Sequence, residues 1–180
     1  MDVKFLGTIF LAGIYGTGKS TLGSKVAHHL NIPFYSAGDL ISEINGEKYG
    51  VNKIVKDKYA NQDVLSVAVQ KKLQKSKDIL LAGHFCIFDT NCKVETLPLS
   101  VFEKISIDKI ILLEAPLERV YINILNRDSK SYSLDDLNNL LVAERESAKL
   151  VKKKLSIPLY IHNMEFSDSD LSVIIRIINS

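Results

Sequence analysis

Short apolar runs alternate with stretches of helical spacing along the whole chain. A run of four to eight apolar residues bounded by turn formers reads as a buried strand, and apolar residues three and four apart read as one face of a helix. On that basis residues 5–12, with Ile9-Phe10-Leu11-Ala12 at their centre, predict a first strand, and residues 19–30 a first helix. Pro33-Phe34-Tyr35-Ser36 predicts a short second strand, and Gly38-Asp39-Leu40-Ile41 starts a helix with Asp39 near its cap. Residues 45–60 are polar, with Gly46, Lys48, Gly50, Lys53, Lys56 and Lys58, and predict a loop or small insertion. Val64, Leu65, Ala68, Val69 and Leu73 predict a helix over 62–75, and Ile79-Leu80-Leu81-Ala82 a third strand.

Residues 84–98 predict a hairpin turning near Asp89-Thr90-Asn91, and 107–113 a fourth long strand. Pro116 opens the next helix, at the position where its missing N–H costs nothing. Ser133-Leu134-Asp135-Asp136 resembles a capping box, and Leu134, Leu137, Leu141, Ala148, Val151 and Leu155 trace the apolar face of the long helix behind it. Pro158-Leu159-Tyr160-Ile161 and residues 168–178 predict a last strand and a closing helix. Repeated strand–helix units imply an α/β fold, with a parallel five-stranded sheet and helices on both faces. Right-handed crossovers bring the strand ends to one edge, where ligands of such sheets bind. That edge would gather the loop after the first strand, Asp39, the residues after Ala82 and the helix end near Arg127.

One motif changes the picture. Gly13-Ile14-Tyr15-Gly16-Thr17-Gly18-Lys19-Ser20 matches G-x-x-x-x-G-K-[ST], with a strand before it and a helix after it. Glycines allow backbone N–H groups to wrap an anion closely, and the helix N-terminus adds its own donors. Gly13, Tyr15, Gly16, Thr17, Gly18, Lys19, Ser20 and Thr21 are therefore the candidate nucleotide-phosphate site. Lys19 supplies a cation to the outer phosphates, and Ser20 a hydroxyl for Mg²⁺.

Composition sets bounds. The 180 residues suit one domain, expected to span 1–180, with the acceptor-side insertion at 45–60 and a short lid at 127–133. Net charge is +2, so a nucleic-acid partner is not favoured; Lys152-Lys153-Lys154 reads as a solvated helix face. Cys86 and Cys92 are too few for a disulfide framework or a cysteine metal site. No apolar stretch nears ~20 residues, so no membrane partner is expected. Met1-Asp2-Val3-Lys4-Phe5 is not built like a signal peptide, and a cytoplasmic location follows as the default expectation.

The order of these segments resembles P-loop nucleoside monophosphate kinases over most of the chain, including adenylate kinases of the archaeal type. Ser36-Ala37-Gly38-Asp39-Leu40-Ile41 looks like their substrate-side segment, Gly83-His84-Phe85 like the segment after their third strand, and Asn126-Arg127-Asp128-Ser129-Lys130-Ser131-Tyr132 like a short lid. The resemblance implies phosphoryl transfer from ATP, with Mg²⁺, to a small nucleotide- or nucleoside-like acceptor. Lys19, Asp39 and Arg127 would be catalytic. Asp39, His84, Asp89 and Lys130 would face the acceptor.

Each acceptor-side residue also has a plainer role. Asp39 would cap its helix, His84 would be a satisfied histidine, Asp89 would belong to a turn, and Arg127 would answer a helix dipole. Arg145 would pair with Glu144 or Glu146. Departures from the family stand beside the matches. Ala82 occupies the position of its strand-end Asp, and Ser42, Cys86 and Asn123 align with its arginines. The chain holds only four arginines, Arg119, Arg127, Arg145 and Arg176. Two other functions therefore stay open: a nucleotide-dependent switch or binding module without a small acceptor, and a kinase of polynucleotide ends.

Overall fold

The computed structural model describes residues 7–45, 58–127 and 132–180. Its main sheet has five parallel strands: β1 (Thr8–Ala12), β2 (Phe34–Ser36), β3 (Ile79–Ala82), β6 (Ile107–Glu114) and β7 (Leu159–Asn163), in the order β2-β3-β1-β6-β7. β4 (Cys86–Phe88) and β5 (Val94–Thr96) form a separate antiparallel hairpin. The helices are α1 (Lys19–Leu30), α2 (Ala37–Asn45), α3 (Lys58–Leu73), α4 (Leu99–Lys104), α5 (Leu117–Arg127), α6 (Leu134–Leu155) and α7 (Asp168–Ile178).

Burial explains the strand sequences. All five residues of β1 and all four of β3 are buried, because both faces of these central strands are covered; hence the unbroken apolar runs. Leu11 pairs with Ala82, Ser36 with Ala82, Ala12 with Leu112 and Glu114 with Asn163, so the carboxyl ends of all five strands lie along one edge. On the core side Phe10 meets Phe85 and Phe102 edge-on, with ring centroids 5.2 and 5.8 Å apart. This trio anchors the chain just after β3. Gly83 makes that approach possible, since a Cβ there would come within 2.7 Å of the Phe10 ring.

Helix ends follow their sequence signals. Ser133 caps α6, accepting from the Asp136 N–H, and Asp136 reaches back to the Ser133 N–H. Ser167 and Asp170 do the same for α7. Lys109, drawn inward from β6, donates to the carbonyls of Ile177 (2.8 Å) and Ile178 (3.1 Å) at the α7 C-terminus.

Several details differ from the sequence expectation, and among the described residues the first strand begins at Thr8 rather than earlier. α4 was not anticipated, because its six residues are too few to display a period. α3 begins at Lys58, so the last residues of the polar 45–60 stretch are helical; residues 46–57 lie outside the described residues. Leu134 is 46% exposed although expected on the buried face, since it sits at the first position of α6, and Leu140, fully buried, carries the contact instead.

The turn into α7 hangs on one carboxylate. Buried Asp170 accepts from the Glu165 N–H (3.0 Å) and the Ser167 N–H (3.1 Å), and lies 2.7 Å from His162 Nε2. Burial alone would raise its carboxyl; hydrogen bonds from Glu165, His162 and Ser167 outweigh that and hold it below the ordinary 3.8. Its contribution is therefore present at neutral pH and lost as pH falls below about 4. Asp170→Ala should cost about 2 kcal/mol at pH 7, from orphaned N–H groups and a lost cap, and much less near pH 2. Urea melts at the two pH values measure the difference.

Candidate active site

The loop between β1 and α1 is held open by its own backbone. Gly13 has φ 146°, and a Cβ there would lie 2.6 Å from the Leu113 carbonyl of β6. No larger residue fits. Gly18, at φ 88°, is the N-cap of α1; it brings no side-chain cap, and no acidic residue occupies the first turn. The first N–H groups of this 12-residue helix consequently face the loop with the positive end of the dipole behind them. Such an end binds anions.

Side chains brace the loop from below. Lys19 is buried, and its Nζ donates to the carbonyls of Gly13 (2.7 Å) and Ile14 (2.9 Å). Thr17 is fully buried and its hydroxyl donates to the Ile14 carbonyl (2.9 Å). Asn123 of α5 donates from Nδ2 to the Gly16 carbonyl (2.8 Å). Ser20 and Thr21 are exposed at the start of α1, so both hydroxyls are open to a ligand. The cradle of positive-φ glycines, the uncapped helix and the Lys19 ammonium fit a nucleotide's phosphates. For Mg²⁺ the protein offers the Ser20 hydroxyl; no cluster of three His, Cys, Asp or Glu side chains exists among the described residues.

Four aromatic rings gather beside the loop. Tyr15 lies 4.6 Å from His84, 6.1 Å from Phe88 and 6.3 Å from Tyr132, the last nearly parallel at 6°. Phe88 stacks on Tyr132 at 4.9 Å. Tyr15 and His84 were expected in the site. Phe88, from the hairpin, and Tyr132, from the end of the expected lid, were not singled out. Across the loop, Gly18 looks toward Met164 and Phe166, and the Arg119 guanidinium sits 5.1 Å over the Phe166 ring.

The remaining candidates are distributed as follows. Asp39 is exposed in the first turn of α2, inside the helix rather than at its cap. Arg127 is exposed as the last residue of α5. Asp89 accepts from the Asn91 N–H (2.7 Å) and the Lys93 N–H (2.8 Å) through one oxygen, and thereby shapes its turn. Lys130 lies outside the described residues. Arg145 does not pair with Glu144 or Glu146: it forms a two-pronged ion pair with Glu114, at the buried end of β6, with Nε 2.6 Å from Oε1. Helix geometry explains the correction. Glu144 faces the core while Arg145, 100° further round, reaches the strand end.

Glu144 is the group that sequence reasoning missed. It is 1% exposed, and its carboxylate accepts from the N–H groups of Gly13 (3.1 Å), Phe85 (2.9 Å) and Cys86 (2.7 Å). The signal was present: Leu137, Leu140, Ala148 and Val151 are its neighbours on the apolar stripe of α6, and a carboxylate inside such a stripe must have buried partners. The positions aligned with family arginines are likewise turned to internal work. Cys86 is buried with Sγ 3.3 Å from Ser147 Oγ, Ser42 donates to the Gly38 carbonyl (3.0 Å), and Asn123 props the loop. Ala82 is buried at the end of β3.

A family model described as the AAA domain matches residues 12–140, from the end of β1 into α6. The chain belongs to the AAA domain family. The cytidylate kinase of Pyrobaculum islandicum is 28% identical over 149 residues, covering 72% of this chain and 80% of its own. Among solved structures, a shikimate kinase from Acinetobacter baumannii in complex with shikimate aligns with TM-score 0.61 and 16% identity over 96% of this chain and 93% of its own. A gluconokinase from Sinorhizobium meliloti aligns with TM-score 0.56 and 14% identity over 96% of this chain and 89% of its own. The structural likenesses agree with the fold of this AAA domain protein, and the family match and the relative agree with the P-loop nucleoside monophosphate kinase-like family expected from the order of segments along the chain. Among the described residues, no helix is long and apolar enough to cross a membrane.

Burial pushes the Glu144 carboxyl up to about 7, against the pull of the Phe85 N–H, the Lys19 charge, and the Cys86 and Gly13 N–H groups. The unfolded chain releases this proton near the ordinary 4.5. Between those values the folded protein holds the extra proton, so stability from this group falls as pH rises from about 4.5 to about 7. In Glu144→Gln that component of the slope should vanish. Parallel urea melts of both proteins across the window test this; identical slopes would contradict it.

Proposed function

We propose that this nucleotide kinase-like phosphotransferase moves the terminal phosphoryl group of ATP, with Mg²⁺, onto a hydroxyl or phosphate oxygen of a small nucleotide- or nucleoside-like acceptor. The observation that carries the reading is the pairing of a glycine cradle, holding the Lys19 ammonium beneath an uncapped helix, with the His84 ring 4.6 Å from Tyr15 of the same loop. On this reading the phosphate donor site and the acceptor wall adjoin. The AAA domain match and the cytidylate kinase relative support the class of reaction.

Roles follow from chemistry. Phosphoryl transfer needs positioning and charge stabilisation more than covalent help. Lys19 exchanges its loop carbonyls for phosphate oxygens and neutralises charge as the bridging bond breaks. Ser20 supplies a hydroxyl to the metal that accompanies the nucleotide. Met164, Phe166 and the overlying Arg119 present a flat face to the base. Arg127, with Lys130 in the lid segment, closes over the equatorial oxygens. Asp39 orients the acceptor hydroxyl and takes its proton if needed. His84, with Asp89 at the hairpin turn, borders the acceptor.

Two measurements test the proposal. ATP with Mg²⁺ should raise the melting temperature, by the equivalent of about 2.7 kcal/mol at 100-fold over Kd, and Lys19→Ala should abolish most of that shift while retaining the apo fold. ATP labelled in its terminal phosphate, offered with nucleosides, nucleotides, hydroxy acids and oligonucleotides, should label a nucleoside or nucleotide. Label appearing only as free phosphate would replace the reading with a nucleotide-driven switch, and label on oligonucleotides with a polynucleotide end-kinase.

A further inference from the structure

Glu144 has no counterpart in the roles above, yet it touches both halves of the site. One of its oxygens takes the N–H of Gly13, the first residue of the phosphate loop. The other takes the N–H groups of Phe85 and Cys86, immediately after His84. Three donors from two segments converge on one carboxylate from a third. At 1% exposure no solvent competes for these bonds.

The carboxylate is itself held firmly. The next residue, Arg145, is locked to Glu114 at the end of β6, which fixes the rotation of α6 about its axis. Three residues on, Ser147 reaches Cys86 Sγ at 3.3 Å. On the far side, the Phe85 ring is wedged against Phe102 at 4.7 Å and Phe10 at 5.2 Å. α6 therefore braces the strand end, the phosphate loop and the segment after β3 within a single turn. With three backbone donors on its two oxygens, Glu144 is poorly placed to ligate a metal; its geometry suits spacing.

We infer that Glu144 is a positioning residue that couples the phosphate loop to the acceptor-side segment at Phe85 and Cys86, and so sets the distance between donor phosphate and acceptor. The consequence for transfer rests on the kinase reading; the coupling itself does not. Glu144→Gln keeps the shape but points an NH₂ group at one of the backbone N–H groups, releasing either Gly13 or Phe85 and Cys86. Glu144→Asp keeps the charge but is one methylene too short to hold both sides.

Hydrogen exchange with ADP and Mg²⁺ as the probe reads the coupling directly. In the wild-type protein, saturating ADP should slow exchange at the phosphate loop and also at the Phe85 and Cys86 amides. In Glu144→Gln, at ADP raised to saturation, the loop should still respond and the Phe85 and Cys86 amides should not. Kinetically, with an acceptor in hand, the variant should raise the acceptor KM more than the ATP KM. It should also shift the ratio of transfer to ATP hydrolysis by about tenfold or more, an effect of misplacement rather than of lost stability. Glu144→Asp serves if Glu144→Gln does not fold. The inference is overturned if a folded variant keeps the wild-type response at Phe85 and Cys86, or if kcat falls with the transfer-to-hydrolysis ratio unchanged. Should neither variant fold, the wild-type arm decides: no ADP-induced change at those two amides overturns it. Wild-type protein that responds to ADP but phosphorylates none of the offered acceptors would sink the kinase reading while leaving the coupling supported.

Discussion

The site rests on a contradiction between burial and charge that the backbone resolves. A carboxylate in the middle of an apolar helix face is costly unless its lone pairs are satisfied. Glu144 is satisfied by N–H groups of Gly13, just after β1, and of Phe85 and Cys86, between β3 and the hairpin, where the parallel ladder has ended. Loops after parallel strands have no ladder to pair with. Here one side chain answers three such groups at once, and the Lys19 charge offsets part of the burial that pushes its carboxyl up. Removing the carboxylate would leave buried donors on both sides of the sheet edge, which is a larger loss than any single hydrogen bond.

The rest of the architecture follows from keeping that edge in register. β1 lies at the centre of the sheet, so its end is fixed by β3 on one side and β6 on the other. Glu114 extends β6 by one residue beyond the expected strand, and its pair with Arg145 pins α6 against the same edge. Asn123 then holds the loop from α5. Two helices from the chain's second half thus support a loop near its start. Such long-range support lets the loop keep strained, glycine-dependent angles without depending on its own residues alone.

What was legible in the sequence was whatever has a local cause. Strands buried on both faces appear as unbroken apolar runs; β3 and β6 were placed within a residue, and β1 was placed with its C-terminal end at Ala12. The capping box at Ser133 is a short-range hydrogen-bond pattern, and it marks the start of α6 as expected. The phosphate loop is a motif because its chemistry is confined to eight residues. Partners set by tertiary structure were not legible. Arg145 was assigned to a sequence neighbour because adjacency is all a sequence offers, whereas Glu114 lies 31 residues away and meets it only across the sheet edge. Glu144 was read only as a possible partner of Arg145, although the stripe from Leu137 to Val151 already placed it inside. Phe88 and Tyr132 became part of the site only when the hairpin and the α6 N-terminus met over Tyr15.

The commitments of these cations bear on what the proposed acceptor wall can recognise. Binding a phosphate by direct charge needs a cation whose donors are not already committed. Arg145 gives its guanidinium to Glu114, Arg119 lies over Phe166 on the opposite side of the loop, and Asn123 replaces an arginine with a prop for Gly16. Beside His84 stands the Tyr15 ring, which in turn lies against Phe88 and Tyr132. Rings of this kind favour a planar or apolar partner and contribute little to holding an anion. On the proposed reading, a phosphorylated acceptor would draw its charge complement from the lysines of the 48–58 stretch, while an unphosphorylated one would be selected by the rings. The two cases differ in salt dependence. Screening weakens recognition by lysine charges in solvent contact with an anion, whereas contact with ring faces is nearly indifferent to ionic strength. The acceptor KM as a function of salt therefore separates a charge-read acceptor from a shape-read one.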